Sequence, residues 1–134
     1  MRPDATAGRL LALRGGSAIA TFDDLRRLAI ALPGAEEITY RGQPWFNVGK
    51  KTFALSWGGR TIMKLDKGHQ HFLFEVRPQT FQPCKVGTGG VWSYVVLEDL
   101  DEVELADLVL EAWSTIVPKK VSRGYLPSRT PSRA

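Results

Sequence analysis

Pro44-Trp45-Phe46-Asn47-Val48-Gly49-Lys50-Lys51-Thr52-Phe53-Ala54-Leu55-Ser56-Trp57-Gly58-Gly59-Arg60-Thr61-Ile62-Met63-Lys64-Leu65 is the stretch whose reading decides the fold class. Its hydrophobic period is two. Trp45 to Val48 reads as a short strand and Gly49-Lys50 as a turn. Lys51 to Ser56 alternates, with Phe53 and Leu55 on one side, and Gly58-Gly59 marks a hairpin into Arg60–Leu65. Two registers compete there. A two-residue loop pairs Trp57 with Arg60 and Phe53 with Lys64, which mixes apolar and charged groups on one face. A three-residue loop, 57–59, with Gly59 at positive φ, pairs Phe53 with Met63 and Leu55 with Thr61. The second separates polarity better and is the expected register.

Working outward, the period changes to that of helices on both sides. Thr21 can cap a helix with Asp24 three residues on. Phe22, Leu25, Leu28, Ala29 and Leu32 then fall on one face before Pro33-Gly34 ends the run. Residues 35–43 are polar and read as a loop. Beyond the hairpin, Gln70 to Val76 reads as a short helix, and Pro78 and Pro83 impose extended or turn geometry. Gly87-Thr88-Gly89-Gly90 reads as a flexible connection, because it precedes a strand and lacks the strand-to-helix context of a phosphate-binding loop. Val91 to Leu97 is apolar or aromatic on both sides, the mark of a central strand. In the last helix Asp101 is the cap, with Glu104 three residues later and Leu100 stapling to Leu105. Its buried stripe is Leu105, Val109, Ala112, Trp113 and Ile116, and Pro118 stops it. The pattern is α+β, with helices on one face of an antiparallel sheet. Three parts follow: an N-terminal extension over 1–20, one domain over 21–117, and a basic, disordered tail over 118–134.

The 134 residues suit a single domain, and the 43% hydrophobic and 24% charged content is that of a folded one. A lone Cys84 excludes an intramolecular disulfide and a multi-cysteine zinc site, which makes a reducing, cytoplasmic setting the expectation. No apolar run approaches the ~20 residues that span a bilayer, so no membrane partner is expected. The net charge of +4 is unevenly spread: +5 over 118–134, +2 over 1–20 and −3 over 21–117. From 41 to 85 there are eight basic residues against Asp66 and Glu75, whereas 86–117 holds seven acids and no base. Such a polarised molecule can meet an anion, nucleic acid included, or simply stay soluble.

Candidate sites are sparse. His69 and His71 lack a third ligand at any recognised spacing, so no metal is expected. Cys84 has no neighbouring base in sequence and reads as a small semi-buried side chain. Glu36-Glu37 reads as solvated loop charge, or as a partner for Lys50 or Lys51. Trp113 and Trp92 fall on core positions. Trp57 lies at the hairpin tip beside Arg60, and Tyr40 and Trp45 flank Arg41. Aromatics interleaved with arginine suit base stacking and phosphate contact, unless they fold back under the hairpin edge.

Four segments together carry a resemblance: Leu32-Pro33-Gly34-Ala35-Glu36-Glu37; Phe46-Asn47-Val48-Gly49-Lys50-Lys51-Thr52-Phe53-Ala54; Trp92 in a strand ending at Val96-Leu97; and Glu111-Ala112-Trp113 through Val117-Pro118-Lys119-Lys120. Over roughly 21–120 the chain resembles the MmcQ/YjbR family of small bacterial proteins, departing from its pattern in the doubled Lys50-Lys51. The resemblance implies a YjbR-like two-layer α+β fold, and members are often labelled DNA-binding. It supplies no catalytic residues and no cofactor. With no nucleophile, base and oxyanion donor in view, the expectation is a non-enzymatic module. Nucleic acid is the expected ligand, met through a basic sheet face and the C-terminal tail, with Arg41, Lys50, Lys51, Trp57, Arg60, Lys64, Lys119 and Lys120 as the candidate contact residues. The alternative is a protein-interaction or small-ligand module.

Overall fold

Thr21 caps the first helix as its spacing predicts. Its hydroxyl accepts from the Asp24 N–H at 3.2 Å, and the Asp24 carboxylate accepts from the Thr21 N–H at 3.0 Å. The computed structural model describes residues 19–85 and 90–125. Along them run α1 (Phe22–Ile30), β1 (Ala35–Tyr40), β2 (Gln43–Val48), β3 (Lys51–Trp57), β4 (Arg60–Met63), α2 (Lys67–Val76), β5 (Phe81–Lys85), β6 (Val91–Val95), α3 (Glu102–Ser114) and α4 (Lys119–Tyr125). The strands form one antiparallel sheet in the order β1-β2-β3-β4-β6-β5. The fold is α+β. Leu25 and Ala29 of α1, Leu73 of α2, and Leu105, Val109 and Trp113 of α3 share a buried cluster with Phe46, Phe53, Ala54, Met63, Phe81 and Val95 of the sheet. Trp113 is fully buried, and its Nε1 donates to the Pro33 carbonyl at 3.0 Å, joining the last long helix to the end of the first. Asp101 accepts from the Glu104 N–H at 2.8 Å, but the Glu104 side chain turns to Arg77 instead of completing a box.

Four expectations are corrected. Residues 35–40, read as loop, form edge strand β1, hydrogen-bonded to β2 through a two-residue turn at Arg41-Gly42 with φ of 52° and 77°. Most of β1 is exposed, so its polar sequence hides the strand period. Ile19 and Ala20 belong to the domain: Ile19 bridges Asp101, and the buried Ala20 donates its N–H to the Leu100 carbonyl at 2.9 Å. Residues 119–125, read as disordered tail, form α4 with Ser122 buried; 1–18, 86–89 and 126–134 lie outside the described residues.

The β3–β4 hairpin is the fourth. Trp57 pairs with Arg60, Ser56 with Thr61, Leu55 with Ile62 and Ala54 with Met63, which is the two-residue loop. The mixing of polarity that argued against it is removed by a bulge. Phe46 opposes Ala54 while Asn47 opposes Thr52, leaving Phe53 as an extra residue in β3. Phe53 and Ala54 consequently both enter the helix-side core, although Phe53 still lies across from Lys64, whose N–H donates to its carbonyl at 3.0 Å.

Trp113→Ala is expected to destabilise the fold by about 3–5 kcal/mol in denaturant unfolding, since it empties the buried space beneath α3. Gly58 and Gly59 have φ of 59° and 79° with open space around both, as a type I′ turn requires. Valine at either position is therefore expected to cost about 1–2 kcal/mol from backbone strain alone, while Gly58→Asn is nearly neutral. A neutral Gly58→Val would contradict the two-residue loop.

Candidate nucleic-acid interface

The bulge leaves a second apolar set on the sheet face away from the helices. Leu55, Ile62 and Cys84 are buried there, packed under Trp45, Trp92 and Tyr94, and among the described residues no helix contributes to this cluster. The ladders align Ile38, Trp45, Leu55, Ile62, Tyr94 and Gln82 as one row across all six strands. Alternate turns of a meander share one end of a sheet, so Arg41-Gly42 and Gly58-Gly59 lie together. Tyr40, Trp45 and Trp57 meet beside them. The ring centroids are 4.9 Å apart for Tyr40–Trp45, 6.2 Å for the edge-on Trp45–Trp57 pair and 6.4 Å for Tyr40–Trp57. Tyr40 and Trp57 remain 44% and 42% exposed. The Arg41 guanidinium lies 5.5 Å from the Tyr40 centroid, and that of Arg60 only 3.5 Å from the Tyr94 centroid.

The structure thus joins two aromatic–arginine pairs that are separate in sequence, and it divides the other proposed residues. Arg41, Trp57 and Arg60 share one end of the face. Lys51 and Lys64 line a cavity with Trp92 at the opposite end, beside the β2–β3 turn that carries Lys50. Lys119 and Lys120 are exposed on the first turn of α4. Trp92, read as core, stands half-buried on this helix-free face, and Tyr94 joins it. The alternation of Trp92 and Tyr94 against Ser93 and Val95 was the available signal.

The arginine–carboxylate pairs gather on the helix side of the sheet, whereas Glu36, across from Asn47, stands on the other side. Arg26 pairs with Glu37 at 2.8 Å and Asp23 at 2.9 Å, Arg27 with Asp24 and Glu102, and Arg77 with Glu104. Hydrogen bonding to Glu37 raises the Arg26 pKa further above its ordinary value, and hydrogen bonding to Glu102 does the same for Arg27. Glu37 therefore serves the helix side instead of Lys50 or Lys51. By contrast Arg41, Lys50, Lys51, Arg60 and Lys64 have no ion-pair partner among the described residues.

The histidines lie on α2, where a spacing of two points the rings apart. His69 Nδ1 is 2.7 Å from Glu111, while His71 is 78% exposed and 3.8 Å from Glu75. Glu111 also accepts from the Asp66 N–H at 2.8 Å, and Asp66 caps α2 by accepting from the His69 N–H at 3.1 Å, so these groups hold α2 to α3. Cys84 is buried beside Tyr94. Hydrogen bonding to the Cys84 side chain raises the Tyr94 pKa, burial adds to the shift, and the Arg60 charge opposes it. Tyr94 therefore remains a neutral ring for Arg60 to stack on at physiological pH.

The sequence matches no family model and no curated protein. Among solved structures it is similar to the Deinococcus radiodurans protein DR2400, whose domain is described as DUF419. The two share a fold. The TM-score is 0.63 at 21% identity, over 79% of this chain and 88% of that one. Among the described residues no helix is long and apolar enough to cross a membrane.

The Trp45 indole N–H is buried and finds no hydrogen-bond partner among the described residues. An unmade bond of that kind costs about 1–3 kcal/mol, which offsets much of what the larger ring gains by packing. Trp45→Phe is accordingly expected to change stability by less than about 1 kcal/mol, whereas Trp45→Ala costs about 3 or more. Urea unfolding of both variants checks the difference.

Proposed function

We propose that this chain is a non-enzymatic binding module that takes an unpaired nucleic-acid strand on the helix-free face of its sheet. The observation that carries the reading is the Tyr40–Trp45–Trp57 group, half open to solvent and flanked by Arg41 and Arg60, neither of which has an ion-pair partner among the described residues. Exposed aromatic rings in a basic setting stack on bases without regard to sequence, at about 1–3 kcal/mol per base, while arginine supplies phosphate contact. Stacked bases of a duplex are closed to such rings, which favours single strands. Lys119, Lys120 and the basic residues after them extend the electrostatic reach from α4. The four quoted segments, together with the fold shared with a DUF419 domain, support membership in the MmcQ/YjbR family. That membership and the single cysteine suit a bacterial, cytoplasmic protein.

Titration of a labelled oligothymidylate at two salt concentrations tests the reading. Trp57→Ala is expected to weaken binding by about 1–3 kcal/mol. Arg60→Ala should lower the salt slope by about 0.7 if its charge engages one phosphate. If both variants bind as the wild type does, or if removing 126–134 abolishes all binding, the sheet face is not a nucleic-acid surface. A protein-interaction or small-ligand role then takes its place.

A further inference from the structure

The end of the helix-free face opposite the aromatic group carries a feature of its own. Lys51, Thr52, Lys64 and Trp92 line a cavity of about 290 Å³, closed on one side by Thr115 and Ile116 at the C-terminal end of α3. The β4–β6 register, continued by one residue, sets Lys64 across from Trp92. Lys64 is half-buried, and neither it nor Lys51 has an ion-pair or hydrogen-bonding side-chain partner among the described residues. Both hydroxyls are already committed. Thr52 donates to Asn47 Oδ1 at 2.6 Å, and Thr115 donates to the Ala112 carbonyl at 2.7 Å. With Lys64 half-buried, Lys51 exposed and neither paired to an acid among the described residues, an anion entering this space meets two positive charges. Trp92 offers an indole beside them for a planar ring.

We infer that this cavity binds a terminal phosphomonoester whose nucleoside rests against Trp92. A monoester carries about −1.5 to −2 at neutral pH against −1 for an internal diester, which matches two lysines. The volume sits at the lower edge of the ~300–1,000 Å³ typical of ligand pockets, room for a phosphate and part of a nucleoside. Thr115 and Ile116 wall the cavity, so a strand laid along the face ends here. From Trp57 to Thr52 the face extends roughly 15 Å at the ordinary strand rise, space for about two or three stacked bases. The strand-end form of this inference rests on the nucleic-acid reading above; the phosphate site does not, because a free mononucleotide presents the same chemistry.

Full-length protein, followed by tryptophan fluorescence, is titrated with short oligothymidylates bearing a 5′-phosphate, a 3′-phosphate or hydroxyl ends, and with free thymidine monophosphate. One phosphorylated oligomer is expected to bind roughly tenfold tighter than the hydroxyl-ended one. Lys51→Gln and Lys64→Gln remove the charge while keeping a polar side chain one bond shorter, and each should cut that preference to about twofold or less. Trp92→Phe should remove the phosphate-dependent quench. If phosphorylated and hydroxyl-ended oligomers bind equally and the monophosphate gives no quench, the cavity inference falls while the strand reading stands. If hydroxyl-ended oligomers fail to bind but the monophosphate quenches, and Lys64→Gln abolishes the quench, the site belongs to a free mononucleotide and the strand reading falls. If none of the probes binds, both are overturned.

Discussion

Phe53 is the residue on which the two faces of the sheet depend. Strict alternation along β3 would send Phe53, Leu55 and Trp57 to one side and leave Ala54 alone to meet the helices. The extra residue breaks that alternation once. Phe53 and Ala54 both become fully buried against α1 and α3, while Leu55 and Trp57 pass to the other side. A single insertion thereby gives one strand two apolar faces. The helix side receives a ring large enough to fill the space beneath Trp113. The free side receives enough apolar surface to hold Trp45, Trp92 and Tyr94 in place without a covering helix.

Much of the helical layer was legible in the sequence because caps are local. Thr21 with Asp24 and Asp101 with Glu104 state where a helix begins, whatever the rest of the chain does. The sheet was less legible. Strand β1 buries little, and its turn sets Arg41 at φ 52°, a conformation disfavoured for a residue with Cβ, so neither period nor turn chemistry announced it. The bulge at Phe53 belongs to no period at all, which is why polarity sorting chose the wrong hairpin register. Helix α4 announces itself by no long apolar stripe, and among its described side chains it is the polar Ser122 that is buried. The candidate site shows the same division. Arg41 beside Tyr40 and Arg60 beside Trp57 are neighbours in the chain and could be read directly. Their meeting through Trp45 depends on cross-strand register, and so does the separation of Lys51 and Lys64 to the other end.

Charge follows the same layering. The acid-rich segment 86–117 lies largely on α3 and the turn before it, where Glu102 and Glu104 meet Arg27 and Arg77. Those pairs are mostly solvent-facing and contribute little to stability. Their larger effect is on the field outside the molecule. The paired acids gather on the helical layer, and Arg41, Arg60 and Lys64 give the opposite side a positive bias that Glu36 of β1 partly offsets. An anionic partner approaching from solvent is oriented before it touches the surface.

The outer strand β5 carries Pro83, and its placement has a further consequence. The Phe81 N–H donates to Arg77 rather than to β6, whereas the Val96 N–H donates to the Thr80 carbonyl. By alternation the Pro83 nitrogen shares the outward phase of Phe81 and Lys85, at the middle of the three positions where a neighbouring β-strand would look for a donor. Proline has none to give. That rim is therefore poorly suited to extension by another chain's backbone, which protects a sheet with apolar side chains on both faces from ribbon-like self-association. Assembly of this protein with other molecules is steered away from that strand and onto its side chains.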